Sequence, residues 1–345
     1  MYLGMVYAIA SIGILGFIVW SQLAPTTNAL NCGQHTFNMN CLSAAVGLLR
    51  WYSGGPSTNS ERGFNLDPFR VACNAAGYIC TASTNELLWA IGFIEGDGSI
   101  STHGQRRGYF MVTQKELAVL QYLQALLGGM GHIKSIPGGY WRWTVSDKQS
   151  LLLLLALFNG NVVLPYRAAQ VSVWCGIYGV AHLCITPLPS LLNSWIAGFV
   201  DAEGCFSARV GLYTSLVTGI VKYDLDFAFL LDQKRIYDIL VHIAVLFGAN
   251  PTAVAARSGV DMYRMTLGPM VLPAIESYFT AHPLRSKKAG ALARWLELRR
   301  EYDAGMVRDE ASLRAKCAAI NNTGKTRKGS LTARHGQHCS EWNSS

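Results

Sequence analysis

The chain has 345 residues, of which 50% are hydrophobic and only 14% charged, with a formal net charge of +8. That apolar content excludes a disordered chain, and 34 Gly with 11 Pro fall short of a collagenous or low-complexity composition. The length suffices for two core-forming domains without disulfide or metal staples. Charge is unevenly placed: no Lys, Arg, Asp or Glu precedes Arg50, and none occurs from Ala168 to Val200. Residues 285–345 hold 13 basic against 6 acidic side chains, so +7 of the surplus sits there. Such a stretch suits a polyanionic partner and equally suits a solvated helix and tail. The 9 cysteines are odd in number and none are spaced C-x-x-C, so they are expected to be free thiols.

Met1–Trp20 (MYLGMVYAIASIGILGFIVW) is uncharged and long enough to cross a hydrocarbon core. It lacks the basic start of a secretory signal. The string resembles a conserved transmembrane stretch of cytochrome c oxidase subunit I, and the resemblance stops near Ser21. That resemblance implies a reading frame within a group I intron of the mitochondrial oxidase gene, fused to the upstream exon, with residues 1–21 an exon-derived apolar helix. A working membrane anchor is the other reading. Residues 22–83, rich in Asn, Ser, Thr, Gly and Cys, are expected to be a poorly ordered connector.

From Ser83 the texture changes. Ser83-Thr84-Asn85-Glu86 is a capping-box pattern ahead of an apolar run, which predicts a helix over Leu87–Glu95. Gly108–Gln114 and Tyr140–Ser146 read as strands, with Lys115–Leu127 helical between them and Leu151–Phe158 a second apolar helix. The chain then repeats itself. Trp89-Ala90-Ile91-Gly92-Phe93-Ile94-Glu95-Gly96-Asp97-Gly98 recurs as Trp195-Ile196-Ala197-Gly198-Phe199-Val200-Asp201-Ala202-Glu203-Gly204, and Gln114-Lys115 recurs as Gln233-Lys234. Gly129 has its match in Gly248, and Tyr140-Trp141-Arg142-Trp143-Thr144 is echoed by Met262-Tyr263-Arg264-Met265-Thr266. Four landmarks in one order mark a tandem duplication. Its expected parts are a first repeat at 84–167, a linker at 168–188, a second repeat at 189–303 and a basic tail at 304–345. The uncharged run 168–200 reads as linker plus a buried helix rather than a membrane span, because His182, Pro187, Pro189 and Asn193 interrupt it.

Gly92 and Gly96 lie four apart, as do Gly198 and Ala202, so each pair shares one helical face and lets two backbones approach closely. Pairing those helices brings together their C-terminal acids, Asp97 and Glu203. Two carboxylates at one seam repel unless a divalent cation bridges them, and all-oxygen ligands suit Mg²⁺.

The repeated decapeptides have the form of the LAGLIDADG motif, and residues 84–303 resemble a two-motif LAGLIDADG homing endonuclease. The resemblance implies an α+β fold of tandem pseudo-twofold αββαββα repeats with two saddle-shaped antiparallel sheets. It implies catalytic and metal-binding roles for Asp97 and Glu203, with the carbonyls of Gly96 and Ala202 completing the metal sphere. Glu95 and Asp201 would cap or support structure. Gln114 and Gln233 would order water near the scissile phosphate, and Lys148 would approach the active-site solvent. The second repeat has Leu267-Gly268-Pro269-Met270 where a matching lysine would stand, which suggests asymmetry. DNA would lie on the sheets, with His103, Arg106, Arg107, Lys134 and Arg142 as candidates in the first half. Arg209, Lys222, Arg257 and Arg264 are candidates in the second, and Lys287 and Lys288 on a basic helix near the backbone. The implied protein is a monomeric mitochondrial matrix enzyme that cuts double-stranded DNA at an intronless oxidase-gene exon junction. The alternatives are an RNA-binding maturase acting on the host intron RNA, or a protein held to a membrane through residues 1–21.

Overall fold

The computed structural model describes residues 63–104, 106–214, 217, 219, 221–257, 261–306 and 309–322. The apolar segment 1–21, the connector as far as residue 62, the tail beyond 322, and Cys32, Cys41 and Cys339 lie outside the described residues. Among the described residues no helix is long and apolar enough to cross a membrane. The six cysteines there are free thiols, as expected.

Helix α1 (Asp67–Ala75) is followed by the first repeat: α2 (Thr84–Asp97), β1 (Gly98–His103), β2 (Arg107–Gln114), α3 (Leu117–Leu126), β3 (His132–Ile136), β4 (Tyr140–Val145), α4 (Lys148–Phe158) and α5 (Pro165–Tyr178). The second repeat runs α6 (Trp195–Glu203), β5 (Gly204–Thr214), β6 (Val221–Lys234), α7 (Tyr237–Leu246), β7 (Val254–Ala256), β8 (Met262–Leu267), α8 (Leu272–Ala281) and α9 (Lys288–Asp303). Helix α10 (Glu310–Asn321) follows. Each repeat forms one antiparallel four-stranded sheet, in the orders β1-β2-β4-β3 and β5-β6-β8-β7.

Strand alternation decides which face of each sheet meets the helices. Phe110 and Val112 pair with Val145 and Trp143 and are buried with them. Phe229 and Leu231 pair with Leu267 and Met265 in the same way. The other face carries Thr113 opposite Arg142 in one sheet and Asp232 opposite Arg264 in the other. The spacing between matched landmarks, which grows by 13 residues between the motif acids and the glutamines, is absorbed by the longer β5–β6 hairpin.

Helix α2 starts as its capping box predicts: Ser83 Oγ accepts from the Glu86 N–H at 3.2 Å, and Glu86 Oε2 accepts from the Ser83 N–H at 2.9 Å. Every residue from Leu87 to Glu95 is buried, because α2 packs against its own sheet and against α6. The approach of α2 and α6 depends on glycine. A Cβ built on Gly198 would fall 2.8 Å from the Trp89 carbonyl carbon and 2.9 Å from the Phe93 nitrogen. One built on Gly92 would fall 3.0 Å from the Phe199 nitrogen.

Three boundaries differ from the sequence expectation. The connector 22–83 is ordered near its end: α1 buries Phe69, and Asn65 exchanges two 2.7 Å hydrogen bonds with Asn161. The first repeat does not stop at residue 167, and each repeat closes with two helices rather than one. Pro165 opens α5 at its first turn and Gly179, at φ 65°, ends it, so only the stretch after Tyr178 serves as linker. The tail 304–345 begins with an ordered helix. Leu313, Cys317 and Ile320 of α10 are buried, and the Asn321 side chain donates to the Ala208 carbonyl and accepts from the Ala208 N–H. Ala208 lies on the edge strand β5, so one side-chain amide takes the place of a neighbouring strand there.

Candidate active site at the helix seam

Asp97 and Glu203 end the two paired helices, as the repeat predicts. A Cβ on Gly96 would fall 3.1 Å from Glu203 Cγ, so the second acid lies directly against the first motif's backbone. Burial and then the facing Glu203 push Asp97 up to about 8. Burial raises Glu203 as well. Each acid is held by the glutamine of its own repeat: Gln114 Nε2 donates to Asp97 Oδ2, and Gln233 Nε2 donates to Glu203 Oε1 at 2.8 Å. The two glutamines orient carboxyls here and reach them from the second strand of each sheet.

The earlier acids of each motif are structural, as the resemblance implied, through a cross-repeat exchange that sequence alone did not show. Glu95 Oε1 accepts from the N–H groups of Val163 and Leu164, at the start of α5, at 2.8 and 2.7 Å. Its Oε2 accepts from the Trp195 indole of the other repeat at 2.7 Å. Asp201 accepts from the N–H groups of Arg285 and Ser286 and from Ser286 Oγ, just ahead of α9. Its remaining partner is the Trp89 indole, at 2.9 Å. Burial pushes Glu95 up to about 7, against these donors.

Two cations occupy the helix ends. Arg167, buried in α5, donates from Nε to the Glu95 carbonyl at 3.0 Å and from a terminal nitrogen to the Gly96 carbonyl at 3.3 Å. Lys288, first residue of α9, donates from Nζ to the carbonyls of Val200 and Ala202 at 3.1 and 2.7 Å. Both favour the ionised forms of Asp97 and Glu203, against the burial that disfavours them. Lys288 thus lies at the seam, beside the carboxyl pair. Lys287 also turns inward. Its N–H donates to Glu116 Oε2 at 2.8 Å, and its ammonium lies 3.6 Å from Glu116 Oε1, which ties α9 to the first repeat. The basic run at 285–300 is largely consumed by the fold: Arg285 lies over Tyr122, Arg299 pairs with Asp303, and Arg300 pairs with Glu276. Trp295 and Leu298 are core, as their apolar character predicts.

Lys148 opens α4 and is exposed, while the cations acting on the carboxyl pair are Lys288 and Arg167. Among the sheet candidates, His103, Arg106, Arg107, Lys134 and Arg209 are exposed. Arg107 donates from Nε to the Ser146 carbonyl at 2.9 Å, and Arg142 donates from Nε to Thr113 Oγ1 at 3.1 Å. Arg264 and Arg257 converge on Asp232, with Arg264 using two nitrogens and Arg257 one at 3.2 Å. The Lys222 side chain lies outside the described residues. Sequence reasoning missed Arg167, Ser286 and Asp232. The two tryptophans were visible as the opening residue of each motif, but their pairing with the opposite acid needs the helix crossing to be known.

The donor set suits a hard divalent cation: two carboxyls and two main-chain carbonyls, all oxygen, at a place where half-buried, facing acids need positive charge. Among the described residues no group of three or more His, Cys, Asp or Glu gathers to hold a metal ion, so a cation at the seam would rely on the two carboxyls and the main-chain carbonyls.

A tandem αβ repeat with two motif helices paired through glycine and an acid at each helix end defines the LAGLIDADG class. The family model described as LAGLIDADG endonuclease matches residues 90–178 and 196–298, and the chain belongs to that family. It is 28% identical over 219 residues to a protein of Neurospora crassa called probable intron-encoded endonuclease 4, a match covering 61% of this chain and 39% of that relative. The chain thus spans about two fifths of the length of the curated relative that it matches. The fold is shared with the meganuclease I-SmaMI bound to uncleaveable DNA, at TM-score 0.55 and 17% identity, over 70% of this chain and 99% of that one. It is shared also with I-AabMI bound to uncleaved DNA, at TM-score 0.54 and 20% identity, over 68% and 99%. I-SmaMI has also been solved on an uncleaved DNA target in the presence of calcium ions.

Proposed function

We propose that this chain is a site-specific double-strand DNA endonuclease in which Asp97 and Glu203 form one composite active site. The observation that carries the reading is the pairing of α2 with α6, which sets two carboxyls, each steadied by a glutamine from its own sheet, at one helix seam. Asp97, Glu203 and the carbonyls of Gly96 and Ala202 would hold Mg²⁺. When bound, that ion supplies charge neutralisation at the scissile phosphate and a nucleophilic water at neutral pH. The chain's own groups do the rest. Gln114 and Gln233 fix the rotation of the carboxyls, and Arg167 and Lys288 hold positive charge behind them. Burial at the seam strengthens every one of these interactions. The duplication supplies both halves of the site, which supports a monomer.

DNA would lie across the sheet faces that carry Arg142 and Arg264. The biological setting we propose is homing of a group I intron in a mitochondrial oxidase gene, with cleavage at the intronless exon junction leaving short 3′ overhangs. The resemblance of Met1–Trp20 to oxidase subunit I supports that setting. Asp97 and Glu203 favour a nuclease over an RNA-binding maturase, for which neither acid is needed.

The test is incubation of the full chain with exon-junction duplex and Mg²⁺, followed by a randomised duplex library. The expected result is a double-strand cut that Asp97→Asn and Glu203→Gln lack. Absence of cutting on both substrates, with faster splicing of the host intron RNA, would replace this reading with the maturase.

Asp232 gives a prediction on recognition. It neutralises Arg264 and Arg257 on the face proposed to meet DNA, so those guanidiniums are aimed and restrained together. Asp232→Ala is expected to raise affinity for random duplex and to steepen the dependence of log K on log salt by about 1. Discrimination under β8 should fall, each mismatch there losing roughly 1–3 kcal/mol of penalty. Unchanged salt dependence would contradict the role given to Asp232.

A further inference from the structure

The two repeats treat the carbonyls at their motif-helix ends differently. Arg167 is locked: its three nitrogens bond the Glu95 carbonyl, the Gln170 side chain and the Gly96 carbonyl, and it is 7% exposed. Its planar fork has little freedom to leave. Lys288 is partly exposed and reaches the seam on a flexible four-carbon stem, holding only the Val200 and Ala202 carbonyls. The second repeat also lacks the lysine that the first carries as Lys148, having Met270 in the Leu267-Gly268-Pro269-Met270 stretch.

We propose that Lys288 is a tethered cation that occupies the Ala202 carbonyl in the metal-free protein and gives it up when a divalent cation binds between Asp97 and Glu203, so that the second half of the site is gated by an ammonium group and the first is not. The chemistry is ion exchange at one carbonyl oxygen. The Lys288 N–H would withdraw from the Ala202 oxygen and free that lone pair for the divalent ion, while the ammonium, still protonated, would keep its positive charge at the seam, where phosphate charge needs offsetting. Lys288 is a positioning residue in this scheme, because the ligands are Asp97, Glu203 and the carbonyls. Its helix start is fixed independently by Asp201, which accepts from Arg285 and Ser286, so the ammonium can move without unseating α9. This inference rests on the metal-binding part of the proposed function.

The experiment is a calorimetric titration of the full-length, metal-free chain with Ca²⁺ and no DNA, for the parent, Lys288→Met and Lys288→Arg. Removing the competing charge is expected to tighten Ca²⁺ binding roughly tenfold in Lys288→Met, while Lys288→Arg stays within about threefold of the parent. A purely structural lysine would give the opposite, weaker binding as the seam loosens. If methionine does not fold, Lys288→Gln, which keeps a donor for the Ala202 carbonyl, carries the same expectation of tighter binding. Equal or weaker Ca²⁺ binding in the neutral variant overturns the proposal, as does equal tightening in Lys288→Arg or Ca²⁺ binding in neither. A chain that cuts no DNA refutes the nuclease reading and leaves this titration interpretable. A chain that cuts DNA but shows no Ca²⁺ gain in the neutral variant refutes only the role of Lys288.

Discussion

Replacing Gly198 by valine is expected to cost the folded chain more than about 3 kcal/mol, because two backbones meet there and neither can retreat. In an isolated helix the exchange of glycine for a residue with a Cβ is favourable, by up to ~1 kcal/mol for alanine. Here the sign reverses. The new atom would stand 2.8 Å from the Trp89 carbonyl carbon and 2.9 Å from the Phe93 nitrogen, both main-chain atoms. Separating the helices to make room would stretch the Trp89–Asp201 and Trp195–Glu95 hydrogen bonds, leaving two buried carboxyls short of a donor. Thermal melts of Gly198→Val, Gly92→Val and the control Gly268→Ala check this. Gly268 sits at φ −91° with nothing within 4 Å of a built Cβ, so its alanine should be neutral. A Gly198→Val midpoint equal to the parent's would contradict the close approach.

The metal-free protein is expected to lose stability as pH rises, and Asp97→Asn is expected to remove much of that loss. In the folded chain Asp97 is pushed up to about 8 from an ordinary 3.8, chiefly by burial and then by Glu203. Between those values the folded state keeps a proton that the unfolded state has released. Stability therefore falls as pH rises through that window and is restored toward acid. Glu203, raised by burial, acts in the same direction. At the alkaline end Asp97→Asn should be about 1–2 kcal/mol more stable than the parent, within the range common for a single stabilising substitution. Denaturant unfolding in chelator across this pH range reads it directly. Saturating Ca²⁺ should reverse the slope for the parent only. A parent whose metal-free stability is flat, or rises with pH to the same degree as the variant's, would contradict a half-buried, mutually repelling pair.

Much of the seam was legible in the sequence because the duplication supplied its own alignment. The helices, the glycine face, both carboxyls and both glutamines follow from residues that recur in order, and each lies where the repeat places it. The parts that were not legible depend on contacts between segments distant in sequence. Arg167 stands alone in an apolar stretch, and nothing local shows that it reaches the Gly96 carbonyl 71 residues back. The intramolecular partners of the basic run at 285–300 were hidden too, since charge in a sequence does not reveal its partner. Glu86, Glu116, Glu276 and Asp303 supply those partners from four different places in the chain. The end of the first repeat was misplaced because the charge-free run after Arg167 hides a helix boundary that Pro165 and Gly179 mark only through backbone geometry. Asp232 escaped notice because its arginine partners are 25 and 32 residues downstream across a sheet.

In the proposed enzyme the acids ending α2 and α6 cut DNA together. The most direct measurement takes a duplex recovered from a randomised library by binding to the full chain. Affinity and single-turnover cleavage are then followed on the same samples of the parent, Asp97→Asn and Glu203→Gln. Affinities are expected to lie within about threefold of one another, with a loss of cleavage of at least ~10³-fold in either variant. Cleavage by the variants at the parent's rate, or equal loss of binding and cleavage, would contradict that joint role.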